Sequence, residues 1–100
     1  MDTADISSKS DFQSVISRHS SAFHTPVHDE FVVLQVERDA YYRLDSTGKK
    51  IWELLETPKT IENLCDELMS KYRVERGTVE TEVLAFLSDL EAQELIVINR

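Results

Sequence analysis

A single residue, Asp45, separates a strand-like run from a helix-like one. Residues 41–44 (YYRL) alternate in polarity and open on two tyrosines, whereas residues 46–55 (STGKKIWELL) place Ile51, Leu54 and Leu55 at helical spacing. The helix leaves no room for a hairpin partner on that side, so the short strand must pair with chain that precedes it. This junction imposes a β-then-α order on everything around it.

Two strand-like runs do precede it. Residues 22–27 (AFHTPV) read as a strand that Pro26 places at an edge or an end, and residues 31–36 (FVVLQV) as a central strand. The polar triplets His28-Asp29-Glu30 and Glu37-Arg38-Asp39 supply the turns. Connections this short predict a three-stranded antiparallel meander closed by residues 40–44.

Beyond Asp45 the period is helical. Asp45 or Ser46 caps a first helix to Leu55, which Thr57-Pro58 ends. Thr60 caps a second with Ile61, Leu64, Cys65, Leu68, Met69 and Tyr72 on one stripe. Gly77 and Thr78 open a third carrying Val79, Val83, Phe86, Leu87 and Leu90, with Glu80 and Glu82 where the helix dipole favours negative charge. Residues 95–98 (LIVI) close the chain as a short strand. The expectation is α+β: winged-helix-like, a three-stranded antiparallel sheet followed by three helices. Residues 1–20, rich in Ser and Asp, read as a flexible N-terminal arm, and residues 21–100 as one domain.

Charge and composition narrow the function. The net charge of -8 and the acidic third helix (Glu80, Glu82, Asp89, Glu91, Glu94, with no Lys or Arg in it after Arg76) oppose a phosphate backbone. A winged-helix DNA-binding or regulatory domain is therefore the alternative reading, and no nucleic acid is expected. The one cysteine, Cys65, sits inside an apolar stripe and reads as a small hydrophobe rather than a nucleophile. His24 and His28 have a metal-like spacing only on a helix, and Pro26 lies between them, so no metal is expected. With two glycines in the chain there is no phosphate-cradling loop, and no carboxylate pair stands in apolar surroundings. No enzyme activity and no cofactor are expected. No apolar run is long enough to span a membrane, so neither a membrane partner nor a location other than the cytoplasm is expected.

What remains is the outer edge of residues 40–44. Strand edges are normally blunted by charge, proline or a cover, and here only Arg43 protects it. Either the arm or residues 95–98 cover that edge, or it is open to strand addition by an extended peptide.

The run Tyr41-Tyr42-Arg43-Leu44-Asp45-Ser46-Thr47-Gly48 and the aliphatic helix behind it resemble the PqqD-like family of peptide-recognition domains. The likeness continues through residues 60–72 and 79–96, and is strongest to the leader-recognition proteins of split lasso-peptide systems. It implies binding of the leader of a ribosomally made precursor peptide. The partners it implies are that leader and a separate leader-cleaving cysteine protease. In the family the leader lies along the third strand and in the groove beside the third helix, offering an aromatic and a proline to apolar pockets. Carried onto this chain, the strand positions are Ala40, Tyr41, Tyr42, Arg43 and Leu44, with Tyr41, Tyr42 and Arg43 as backbone partners. Glu82, Val83, Phe86 and Leu87 form the groove wall. Leu84, off the main stripe, either lines the groove or widens the buried face. The chain departs from the family at Glu94-Leu95, where a glycine commonly ends the third helix.

Overall fold

The computed structural model describes residues 12–28 and 30–99. The meander forms as expected: β2 (Ala22–Val27), β3 (Glu30–Gln35) and β4 (Ala40–Leu44) pair antiparallel in the order β2-β3-β4. Gln35 pairs with Ala40 across a short 3-10 turn, Val36–Arg38, after which Asp39 takes the left-handed conformation (φ 53°) that Asp tolerates. The helices are α1 (Ser46–Leu54), α2 (Ile61–Lys71) and α3 (Arg76–Ala92). The caps are those the sequence offers: Asp45 accepts from the Gly48 N–H at 2.8 Å, and the Thr60 hydroxyl from the Asn63 N–H at 3.0 Å. Helix α3 starts one residue before Gly77 and lacks a side-chain cap.

A second sheet was not anticipated. Strand β1 (Val15–Arg18) lies between β5 (Lys59–Thr60) and β6 (Ile96–Asn99), in the order β5-β1-β6. Ile16 pairs with Ile98 on one side and Lys59 on the other, and is fully buried. Phe12 is 9% exposed. The expectation of a flexible arm is thus corrected for residues 12–18; residues 1–11 of that arm lie outside the described part of the chain. The physical reason is long-range: VISR has only two apolar residues, and its pairing energy comes from strands supplied 45 and 80 residues later.

The core runs between the sheets and the helices. Trp52, Leu55, Ile61, Leu64, Leu87, Leu90 and Leu95 are at or near zero exposure, and removing any one of these leucines or Ile61 costs about 2–5 kcal/mol. Trp52 keeps its ring N–H satisfied by donating to His24 Nδ1 at 3.0 Å, while Arg18 lies over its indole, 4.6 Å from the centroid. Gln35, 1% exposed, is the main buried polar side chain. Its amide donates to the Glu94 carbonyl and its oxygen accepts from the Glu37 N–H, so it ties β3 to the end of α3. No helix among the described residues is long and apolar enough to cross a membrane.

Candidate functional site: the β4 edge and the cavity beside α3

Residues 96–99 pair with β1, so they do not cover β4, and among the described residues β4 has no strand on its outer side. Which of its backbone groups are free follows from alternation. The Val36 N–H donates to the Ser21 carbonyl at 3.0 Å, so Leu34, Val32 and Glu30 also turn their backbone groups toward β2. Phe31, Val33 and Gln35 then face β4, and their partners Leu44, Tyr42 and Ala40 face back to β3. Tyr41 and Arg43 are left with N–H and C=O pointing out of the sheet. The same alternation turns the nitrogen of Pro26 away from β3, where the lack of a hydrogen costs no ladder bond.

Tyr42, grouped with Tyr41 and Arg43 as a backbone partner on the family pattern, therefore spends its backbone groups on Val33. Its ring does other work. Tyr42 and Leu44 point to the inner face, half-buried and buried, whereas Tyr41 (64% exposed) and Arg43 point outward. Arg43 reaches Glu30 at 3.3 Å, an exposed pair of little energetic weight. Tyr41 also completes an apolar cross-strand row with Leu34 and Phe23, all three exposed.

Among the described residues, three hydrogen bonds tie the C-terminal half of α3 and the turn after it to the meander. Tyr42 Oη donates to Asp89 at 2.5 Å, Arg38 to the Ala92 carbonyl at 3.1 Å, and Gln35 to the Glu94 carbonyl. The Tyr42 hydroxyl is pushed up to about 12, first by that bond to Asp89 and then by burial. Toward the N-terminus of α3, a cavity of about 490 Å3 opens between α1, α3 and the end of α2. Ile51, Leu68, Tyr72, Val79, Val83 and Phe86 make it apolar, and Asp45, Lys50 and Glu82 stand around it. Lys50 leans over the Tyr72 ring, 4.6 Å from its centroid, which leaves the two carboxylates as the cavity's other charges.

Of the wall residues expected on α3, Glu82, Val83 and Phe86 line this cavity. Leu87 is fully buried in the core, and Leu84 packs half-buried against it. Asp45, Gly48, Ile51 and Tyr72 line it without having been singled out for it. Their signal was present in part: Gly48 is one of two glycines and sits in the first turn of a helix, where a glycine is a weak choice.

The other side chains weighed for chemistry are placed plainly. Cys65 is fully buried and its thiol is pushed up to about 11 by burial. No group of three or more metal-ligating side chains occurs among the described residues. Helix α3 presents Glu82 and Asp89 to solvent, and Arg76 at its start is bonded to Asp66 and Glu80.

The sequence and fold of the chain are similar to those of known proteins. The profile of the family described as Coenzyme PQQ synthesis protein D (PqqD) matches residues 30–96. The solved structure of TbiB1 in complex with the TbiA(beta) leader peptide is 34% identical, with a TM-score of 0.72 over 80% of this chain and 93% of that one. A lasso peptide synthetase B1 complexed with its leader peptide shares the fold at 18% identity, with a TM-score of 0.66 over 82% of this chain and 96% of that one. No curated protein matches. A profile covering β3 through α3 and a relative one-third identical over four-fifths of the chain lead to one conclusion: the chain belongs to the PqqD family.

Proposed function

We propose that this protein captures the leader of a ribosomally made precursor peptide, of the lasso-peptide class, by strand addition to β4. The single observation that carries this reading is the juxtaposition of an unpaired strand edge with an apolar cavity at its C-terminal end. The outward N–H and C=O groups of Tyr41 and Arg43 give an extended peptide two residues to pair with, and so hold its backbone in register. Peptide residues opposite Leu44 or just beyond it turn inward, toward Phe86 and Val83, and give selectivity. Support comes also from the two B1 relatives, each solved with a leader peptide bound.

The protein acts without catalysis in this reading, in the cytoplasm, and presents the bound precursor to a separate leader-cleaving cysteine protease. The exposed row of Phe23, Leu34 and Tyr41 is an apolar surface suited to such a partner. Binding alone tests the central claim. A dye-labelled leader from a precursor encoded beside this protein's gene should raise fluorescence anisotropy with a Kd of about 10 μM or tighter. A folded protein that leaves that leader free at tenfold higher concentration would overturn the reading.

A further inference from the structure

Gly48 occupies the first turn of α1, is buried, and has no positive φ, so backbone conformation does not require glycine there. The requirement is spatial. A Cβ at this position would meet Phe86 Cζ at 3.0 Å and Cε1 at 3.2 Å, and Asp45 Oδ1 at 3.3 Å. Asp45 is anchored, since that oxygen caps α1 through the Gly48 N–H. A methyl group at position 48 therefore presses on the Phe86 ring, which must give by a few tenths of an ångström. The ring comes from the opposite helix and lines the same cavity as Gly48, so the space open to it is the cavity itself.

We propose that Gly48 is a specificity-determining position, which seats the Phe86 ring against α1 and so holds the cavity open for one large apolar side chain of the added peptide. This inference rests on the peptide-capture reading. Glycine here sets the size of residue admitted beside β4, and Phe86 is the wall whose position it controls. A methyl group at position 48 transmits its effect through the ring, so shortening the ring should cancel it.

A displayed library of random 16-residue peptides tests this against four forms of the protein: wild type, Gly48→Ala, Phe86→Leu, and the double variant. Enriched peptides are then synthesised with a dye and titrated by anisotropy. Alanine is the better helix former, so Gly48→Ala is expected to stay folded, which its thermal midpoint checks. Wild type should enrich peptides with a bulky, mostly aromatic residue at one fixed position. Gly48→Ala should bind those peptides about tenfold more weakly and shift its enriched residue to a smaller aliphatic one. The double variant should recover the bulky preference. If Gly48→Ala keeps both affinity and preference, the role of Gly48 is overturned while peptide capture stands. If the loss in Gly48→Ala is not relieved by Phe86→Leu, the route through the ring is overturned. If wild type enriches nothing, peptide capture itself fails and this inference with it.

Discussion

The phenol of Tyr42 donates to Asp89 Oδ2 at 2.5 Å, and this one bond joins the strand with the free edge to the helix beside it. The neutral phenol is the donor, so the bond stabilises the protonated form and lifts the folded pKa from about 10 to about 12. A raised pKa contributes stability that is fully present below pH ~10 and is lost as pH rises toward about 12. Tyr42→Phe should therefore lower stability by about 1 kcal/mol at pH 8, the modest end being set by partial exposure. Urea midpoints at pH 8 and pH 11 check this: the gap between wild type and variant should narrow at the higher pH. A gap of equal size at both would contradict it.

At the free edge, proline separates backbone from side-chain recognition. Arg43 turns its N–H outward, so Arg43→Pro removes a donor that a bound peptide would use while leaving the β3–β4 ladder intact. Arg43→Ala keeps the donor and loses only the exposed pair with Glu30, worth about 0–1 kcal/mol. The proline variant should bind leader at least about tenfold more weakly and the alanine variant within about threefold, both with near-native urea midpoints. Equal binding by the two would rule out strand addition at this position.

The end of α3 carries strain that one substitution should relieve. Leu95 donates to the Leu90 carbonyl at 2.9 Å and Glu94 to the Glu91 carbonyl, a turn that places Glu94 at φ 59°. A residue with a Cβ pays about 1–2 kcal/mol in that conformation. Glycine relieves it but adds freedom to the unfolded chain, so Glu94→Gly should stabilise by about 0.5–1 kcal/mol, read as a higher denaturation midpoint. The departure from the family's glycine thus leaves the helix end in place and raises its conformational energy.

Cys65 offers a reporter of global opening. Its thiol is buried and held near 11, well above the pH of ordinary labelling reactions. Iodoacetamide at pH 8 should modify the native protein only as fast as it unfolds, and should modify the guanidinium-denatured chain readily. Native labelling at the denatured rate would contradict the packing described around α2.

The meander and helices were legible because their signals are local: a β-branched run at Val32-Val33 between short polar turns, and caps at Asp45 and Thr60. Strand β1 was not, because Val15 and Ile16 acquire their partners only once Ile98 and Thr60 are in place. At the site, the free edge could be read from the junction at Asp45, but the cavity could not. It forms where Gly48, Tyr72 and Val79, each unremarkable alone, meet from three helices. A helical wheel likewise groups Phe86 with Leu87, and only the packed structure puts one on the cavity wall and the other in the core. His24 lies exposed on β2, and its Nδ1 receives the Trp52 N–H from a residue 28 positions away, a contact that no local pattern signals.

The two outer strands of the meander are unequal, and the inequality biases where a further strand pairs. At β2 the nitrogen of Pro26 faces outward with no hydrogen to give, while β4 offers complete peptide groups at Tyr41 and Arg43. A sheet receptive on both sides would let one copy template the next without limit. With complete peptide groups at two positions, β4 is the better equipped of the two edges to take a guest strand. Proline at position 26 thus takes one donor out of the β2 edge and biases strand pairing toward β4.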